Sequence, residues 1–466
     1  MCAIVGVYGD EEATKIAYYA LFSMQHRGQE STGISSADGE KIRLVKKRGL
    51  VTDVFDEDTL NRLNGCCAIG HNRYSTAGED SILDAQPVFA KYKLGEISVA
   101  HNGNLVNKYE VRNRLINRGA IFQTGMDTEN IVHLIAKSQE DKLKDRIKDM
   151  IKKIEGAYCL AIQSRGKMFV IRDRFGIRPL SLGRLKNGGW IVASETCALD
   201  LVGAEFIRDV RPGEMLTFSK DKEPKSEQLF EPDYHPCAFE YIYFARPDSI
   251  IDGKNVYNMR LKMGKQLAKE RPADIDLVLP VPDSGVAAAR GFAQELGVPF
   301  EMGIVRNHYV GRTFIEPTQE IRELKVKLKL SPIKDLIAGK RIAIVDDSLV
   351  RGTTSKQIVK MLKDAGATEV HMRIAAPEIK YPCRYGIDTP TKDELISTKL
   401  TPEEIAKNMD AKSLGFLSIE GLKASLGDDR EYSLVSFDGN YFAGGSANSP
   451  TCAVEINSNK RKKNTI

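Results

Sequence analysis

Cys2 stands directly behind Met1, and removal of that methionine exposes one residue carrying both a thiol and a free α-amine. Such a residue supplies nucleophile and general base together, because an α-amine of pKa about 7.7–8.0 accepts the thiol proton near neutral pH. Two further polar clusters lie far along the chain. RIAIVDDSLVRGTTSKQIVKML sets Asp346 and Asp347 at the end of an apolar run, before a Gly/Thr loop that opens a helix. VPDSG, with Asp283, Ser284 and Gly285, ends a second apolar run. Ligands of open α/β sheets bind at the carboxyl ends of strands. Residues 350–355 offer backbone N–H groups, hydroxyls and a helix N-terminus to a phosphate, and the paired carboxylates suit ribose hydroxyls or Mg²⁺.

The elements that must position these groups differ between the two halves. Up to about Phe230, short apolar runs such as CAIVGVYG, GEISVAHNG, YCLAIQS and KMFVIRD alternate with glycine-rich turns, which predicts antiparallel sheets. Two helical stretches are expected among them, around Glu12 to Met24 and Asp127 to Lys137, the second capped by Asp127 and Thr128. SKDKEPKSEQLFEPDYHP is composed as a linker. Beyond it, helix and strand patterns alternate as in a parallel sheet with crossover helices. The expected domains are therefore 1–230 and 231–440, followed by a polar tail at 441–466 that carries Lys460, Arg461, Lys462 and Lys463.

Composition excludes several classes. A net charge of +5 against 68 basic and 63 acidic residues gives no reason for a nucleic-acid partner. No apolar stretch approaches membrane-spanning length, and the N-terminus lacks the pattern of a signal peptide. Eight cysteines without a CxxC pair suit free thiols in a reducing cytoplasm. Cys66, Cys67, Cys159 and Cys197 lie in apolar runs and read as core.

Taken singly, the N-terminal candidates have bland readings: Cys2 as a core residue, Arg73 as a surface ion pair, Asn102-Gly103 as a hairpin turn, Asp127 as a helix cap. HRGQESTGI, GHNRYSTAG, AHNGNLVN and GMDTEN nevertheless follow Cys2 in an order that resembles the N-terminal-nucleophile glutamine amidotransferases. That resemblance implies a four-layer αββα fold, glutamine bound by Arg73, Thr76 and Asp127, and an oxyanion hole at Asn102 and Gly103. The second half resembles the type I phosphoribosyltransferases. There the resemblance implies phosphoribosyl diphosphate held by Asp283, Ser284, Gly285, Asp346 and Asp347, with Arg351, Gly352, Thr353, Thr354 and Ser355 around its 5′-phosphate. Mg²⁺ would sit at Ser284, Asp346 and Asp347, and Arg306, Tyr309 and Lys325 would belong to a loop that closes over the substrate.

Together the two resemblances imply an enzyme that takes glutamine, water and phosphoribosyl diphosphate to phosphoribosylamine, glutamate and diphosphate, the first step of purine synthesis, with ammonia passed between sites. They also imply purine nucleotides as feedback inhibitors and a homodimer or homotetramer. A sensor of phosphoribosyl diphosphate or purine nucleotides is the rival reading, and the intact Cys2, Arg73, Asn102, Asp127 and aspartate pair weigh against it. Many relatives of this kind carry a [4Fe–4S] cluster on four cysteines. Here Cys237 and Cys383 match two of them, but Ser433 and Ser436 stand at the other two, so no cluster is expected. Only Met1 precedes Cys2, in place of the longer propeptide of cluster-bearing relatives.

Overall fold

The computed structural model describes residues 1–74, 82–220, 223–307, 329–427 and 429–446. In the first domain a seven-stranded antiparallel sheet runs in the order Glu205–Asp209, Ser181–Arg184, Trp190–Ala193, Ala3–Tyr8 (β1), Cys67–Arg73 (β2), Ser31–Ala37 and Ile42–Arg48. A second antiparallel sheet of six strands contains Gly95–Leu105 (β3) beside Gly156–Ser164 (β4). Period-2 alternation decides what each strand buries. Ile4, Ile69, Ala100, Ala161, Val170 and Val192 meet between the sheets. Ala3, Val5 and Val7 turn the other way, toward Ala13–Ser23 (α1), while Leu160 and Ile162 turn toward the helices on the second sheet, including Asp127–Lys137 (α2). Because both faces are covered, these strands read as continuous apolar runs. The result is the αββα sandwich implied by the resemblance.

The second domain is built on a parallel sheet in the order Leu277–Pro280 (β5), Arg341–Asp346 (β6), Glu369–Ile374 (β7) and Ser413–Phe416 (β8). Its helices include Val256–Glu270 (α3), Val286–Leu296 (α4) and Thr353–Asp364 (α5). α3 and α4 approach so closely that a side chain at Gly264 would run into the Ala288 carbonyl, and one at Gly291 into that of Leu261. No helix among the described residues is long and apolar enough to cross a membrane.

The structure departs from the sequence expectations in four places. Part of the expected linker, Lys225–Gln228, is an edge strand paired with Glu214–Phe218; an edge needs only backbone bonds, so its polar composition was no obstacle. At the end of that stretch the amides of Asp233, His235 and Cys237 donate to the carbonyls of Arg174, Phe175 and Ile177. The expected tail is packed as far as Ser446: Ala443 is buried, Phe442 stacks on His235, and Arg384 donates to the Ser446 carbonyl. Finally, Asp127 does not cap α2 but is its first residue, after Met126, and Cys66 is exposed while Cys197 lies on the helix Thr196–Val202. The basic run at 460–463 lies outside the described residues.

Candidate functional site

β1 and β2 pair with Ala3 opposite Asn72, so Cys2 and Arg73 extend the same pair of strands by one residue. Both are buried. The Cys2 thiol faces the Tyr74 carbonyl at 3.5 Å, and its own carbonyl accepts from Arg27 Nε at 3.0 Å. With Met1 in place, burial pushes the thiol pKa up. Met1 is itself enclosed, and burial first of all pulls its amine down to about 5.

A cross-link joins the two sheets here: His71 Nε2 lies 3.1 Å from the His101 carbonyl, within two residues of Arg73 on β2 and of Gly103 on β3. Asn102 and Gly103 are therefore not a hairpin turn but the interior of an eleven-residue strand. Gly103 has φ +149°, and a side chain there would run into the Ala157 carbonyl. The Asn102 side-chain amide nitrogen is buried without a hydrogen-bond partner. A buried donor left unmade is costly, and such orphans ask for an explanation. Asp127 Oδ2 accepts from the Leu105 amide at 2.9 Å, and Oδ1 lies 3.4 Å from His101 Nδ1. Burial opposes its charge, but His101, Lys108 and the Leu105 amide prevail and hold the carboxyl at about 2. Arg73 lies 3.5 Å from Asp84. The cross-linked strands and the start of α2 thus carry a thiol, a cation, an anion and an amide donor without a partner. Thr76 lies outside the described residues.

In the second domain the ends of β5 and β6 meet. The Val281 amide donates to the Val345 carbonyl at 2.8 Å, and a side chain at Gly285 would run into that same oxygen. The loop after β5, with a cis peptide between Pro282 and Asp283, therefore lies against the aspartate pair. Ser284 hydrogen-bonds Asp347, and Asp346 Oδ1 accepts from the Asp347 amide at 2.9 Å. Burial raises both carboxyls, and Asp347 raises Asp346 further; Arg260 on α3 is the cation that faces Asp347. Two acids with one facing cation suit a divalent ion.

Gly352 caps α5 in the left-handed region, φ +75°, without a capping side chain, so the first-turn amides of Thr353, Thr354 and Ser355 remain available. Arg351 is turned onto Glu394 at 2.8 Å, at the surface, and Arg306 pairs with Asp283. Tyr309 and Lys325 lie outside the described residues.

A π-helical turn, Glu240–Phe244, is held by Arg27 through Glu240 and by Arg260 through the Tyr241 carbonyl. Tyr243 is half-exposed on it, and its phenol is pushed up, first by burial and then by the charge of Asp347. Sequence reasoning missed this turn, and also Arg27, Glu195 and Arg260. A lone acid inside the apolar run AFEYIYF was the available signal, since an acid there is rarely buried unless paired.

The four cluster-equivalent positions also converge. Cys237 and Ser433 form a parallel bridge, and the Ser436 carbonyl accepts from the amides of Lys380 and Tyr381, two residues from Cys383. All four residues are buried, burial pushes the Cys237 thiol up to about 11, and neither serine hydroxyl has a hydrogen-bond partner.

The fold thus joins a buried N-terminal thiol in one domain to an aspartate pair and a Gly/Thr loop at the strand ends of the other. Residues 71–201 match the family model for a glutamine amidotransferase domain, and residues 253–382 match that for a phosphoribosyl transferase domain. The chain is 48% identical over 447 residues to the amidophosphoribosyltransferase of Bacillus subtilis, covering 94% of each protein. It is 49% identical over 444 residues to amidophosphoribosyltransferase 1, chloroplastic, of Arabidopsis thaliana, covering 94% of this chain and 78% of that protein. The solved B. subtilis glutamine phosphoribosylpyrophosphate amidotransferase, complexed with ADP and GMP, superposes with a TM-score of 0.91 at 46% identity, covering 97% of this chain and 99% of the other. The chain belongs to the amidophosphoribosyltransferase family and is a glutamine-hydrolysing pentosyltransferase of the first step of purine biosynthesis.

Proposed function

We propose that Cys2, once Met1 is removed, attacks the glutamine amide while its α-amine takes the thiol proton, and that Asn102 and Gly103 receive the oxyanion. The observation that carries this assignment is the buried, unpartnered Asn102 amide on the strand cross-linked to β2. Charge building on the substrate oxygen would occupy that donor, and losing one such donor costs about 10² to 10³ in rate. Arg73 would hold the substrate carboxylate and Asp127, ionised down to about pH 2, its ammonium. Thr76 is a further proposed contact.

Ammonia then passes to phosphoribosyl diphosphate at the ends of β5 and β6. In water at neutral pH most of it would protonate and lose its nucleophilicity, so a direct passage past Tyr243 serves the chemistry. Asp346 and Asp347 would hold the ribose, Asp283, Ser284 and Gly285 the diphosphate, and residues 351–355 the 5′-phosphate. Arg306, Tyr309 and Lys325 would close over it.

Phosphoribosyltransferases use Mg²⁺ in general. Asp346, Asp347 and Ser284 offer the oxygen donors such an ion takes, and the substrate would complete the set. When bound, the ion neutralises the charge of the departing diphosphate. An iron–sulfur cluster does not fit. Two thiols and two neutral hydroxyls are not the four thiolates such a cluster requires, and the hydroxyls of Ser433 and Ser436 are buried without a hydrogen-bond partner.

The B. subtilis relative solved with ADP and GMP supports purine nucleotides as regulators of this chain. A homo-oligomer and action in the cytoplasm complete the proposal, although several plant relatives are named chloroplastic. The assay that tests it follows diphosphate and glutamate together. Glutamine, phosphoribosyl diphosphate and Mg²⁺ should yield the two products in equal amounts, and glutamate without diphosphate under those conditions would contradict it.

A further inference from the structure

Arg351 precedes Gly352, the left-handed residue that opens α5, and its guanidinium is taken by a carboxylate. Nε donates to Glu394 Oε2 at 2.9 Å, and Nη2 reaches the same carboxylate oxygen at 2.8 Å. The other oxygen of Glu394 accepts from Thr391 Oγ1 at 3.2 Å. The hydrogen bond from Arg351 is the main reason that the Glu394 carboxyl lies below its ordinary pKa.

The segment that carries Glu394 is seated on the loop itself. It forms two short turns, Lys392–Glu394 and Ile396–Thr398, with Leu395 fully buried between them. The Ile396 amide donates to the Val350 carbonyl at 3.0 Å, and a side chain at Gly352 would run into Ile396 Cδ1 and Met409 Cε. A backbone bond one residue before Arg351 and close packing one residue after it therefore fix where Glu394 stands. A guanidinium fork takes a carboxylate and a phosphate in the same way. Glu394 thus engages the only side-chain cation of the 351–355 loop.

We propose that Glu394 is a built-in competitor for the 5′-phosphate of the substrate, and that it sets the affinity of the ribose-phosphate site by holding Arg351. The proposal rests on the reading of residues 351–355 as the 5′-phosphate loop. Binding then exchanges one anion for another on the same guanidinium. A phosphate monoester carries about −1.5 to −2 charges at neutral pH against the single charge of a carboxylate, so the exchange favours the phosphate. Both side chains are about half-exposed, which keeps the competition mild. Exposed pairs of this kind shift an equilibrium by about twofold to fivefold.

The test uses the full-length protein and calorimetry with two probes. Ribose 5-phosphate carries only the 5′ end of the substrate, and inorganic diphosphate with Mg²⁺ carries only the other. Glu394→Gln should tighten ribose 5-phosphate by about twofold to fivefold and leave diphosphate at parental affinity, a split that a general loosening of the structure would not give. Added salt should shrink the gain, because exposed charges are screened. KM for phosphoribosyl diphosphate in ammonia-dependent synthesis should fall by the same factor. In an Arg351→Gln background the gain should vanish, since competitor and phosphate no longer share a cation. Unchanged or weaker binding of ribose 5-phosphate in Glu394→Gln, or an equal gain without Arg351, would overturn the proposal. Ribose 5-phosphate that fails to compete with phosphoribosyl diphosphate in the parent would sink the reading of the loop, and the proposal with it.

Discussion

Gly386 of the second domain lies directly on Gly103 of the first: a Cβ on Gly386 would stand 3.1 Å from both the Cα and the carbonyl carbon of Gly103. One residue further along the same strand, Asn104 Nδ2 donates to the Arg384 carbonyl at 2.8 Å. The segment that carries Cys383 thus backs the proposed oxyanion strand. Gly386 also sits at φ +104°, where a side chain costs roughly 1–3 kcal/mol. Gly386→Ala is expected to lower the thermal midpoint by a few degrees and to reduce glutamine-dependent synthesis more than ammonia-dependent synthesis. Equal loss from both nitrogen sources in a steady-state comparison would show that the contact serves stability alone.

The aspartate pair serves the second half-reaction. Asp346→Asn combined with Asp347→Asn should remove synthesis from either nitrogen source by on the order of a thousandfold, since neutral amides cannot replace charged acceptors for Mg²⁺. Glutamine hydrolysis should persist. Calorimetric binding of phosphoribosyl diphosphate with Mg²⁺ at parental affinity would refute the site.

Counting ligands gives the third expectation. Protein purified without air should be colourless and contain no stoichiometric iron or sulfide. Ser433→Cys with Ser436→Cys, placed where two orphan hydroxyls now converge on Cys237 and Cys383, should acquire broad visible absorption on anaerobic reconstitution. Stoichiometric iron in the parent would show that Ser433 and Ser436 do not stand at the two missing ligand positions.

Acid should weaken the sandwich through His71. Its ring is fully buried, Nε2 is bonded to the His101 carbonyl, and Nδ1 has no partner to accept a second proton's bond. Burial above all, then Arg73 and His101, pull its pKa from 6.5 to about 3. The unfolded chain therefore binds this proton first. His71 favours the folded state above pH 6.5 and loses that contribution progressively down to about 3. His71→Gln should be less stable than the parent at pH 7 but should lose less stability between pH 7 and pH 5. Urea midpoints at the two values check this, and parallel losses would contradict it.

What could be read from the chain was whatever is contiguous in it. The run from β6 through VDDSLVRGTTS into α5 is a strand, a loop and a helix in one stretch, so its chemistry and geometry were visible together. The rims around Arg73, Asn102 and Asp127 were visible as polar clusters ending apolar runs. The pairing of Arg27 with Glu240 spans 213 residues, and neither Gly103 nor Gly386 announces the other. Local patterns misled where a side chain's partner was remote: Asp127 resembled a cap, yet its carboxylate goes back to Leu105 and His101. They misled again at Lys225–Gln228, where backbone pairing alone makes the strand.

The central claim is that Cys2 frees ammonia for use beside Asp346 and Asp347. The most direct measurement compares Cys2→Ala with the parent in diphosphate release, supplied with glutamine or with ammonia. Glutamine-dependent release should fall to background while ammonia-dependent release stays near the parental rate, because the substitution removes the nucleophile and leaves the second site intact. Glutamine-dependent release that survives in Cys2→Ala, or ammonia-dependent release that vanishes with it, would contradict the account.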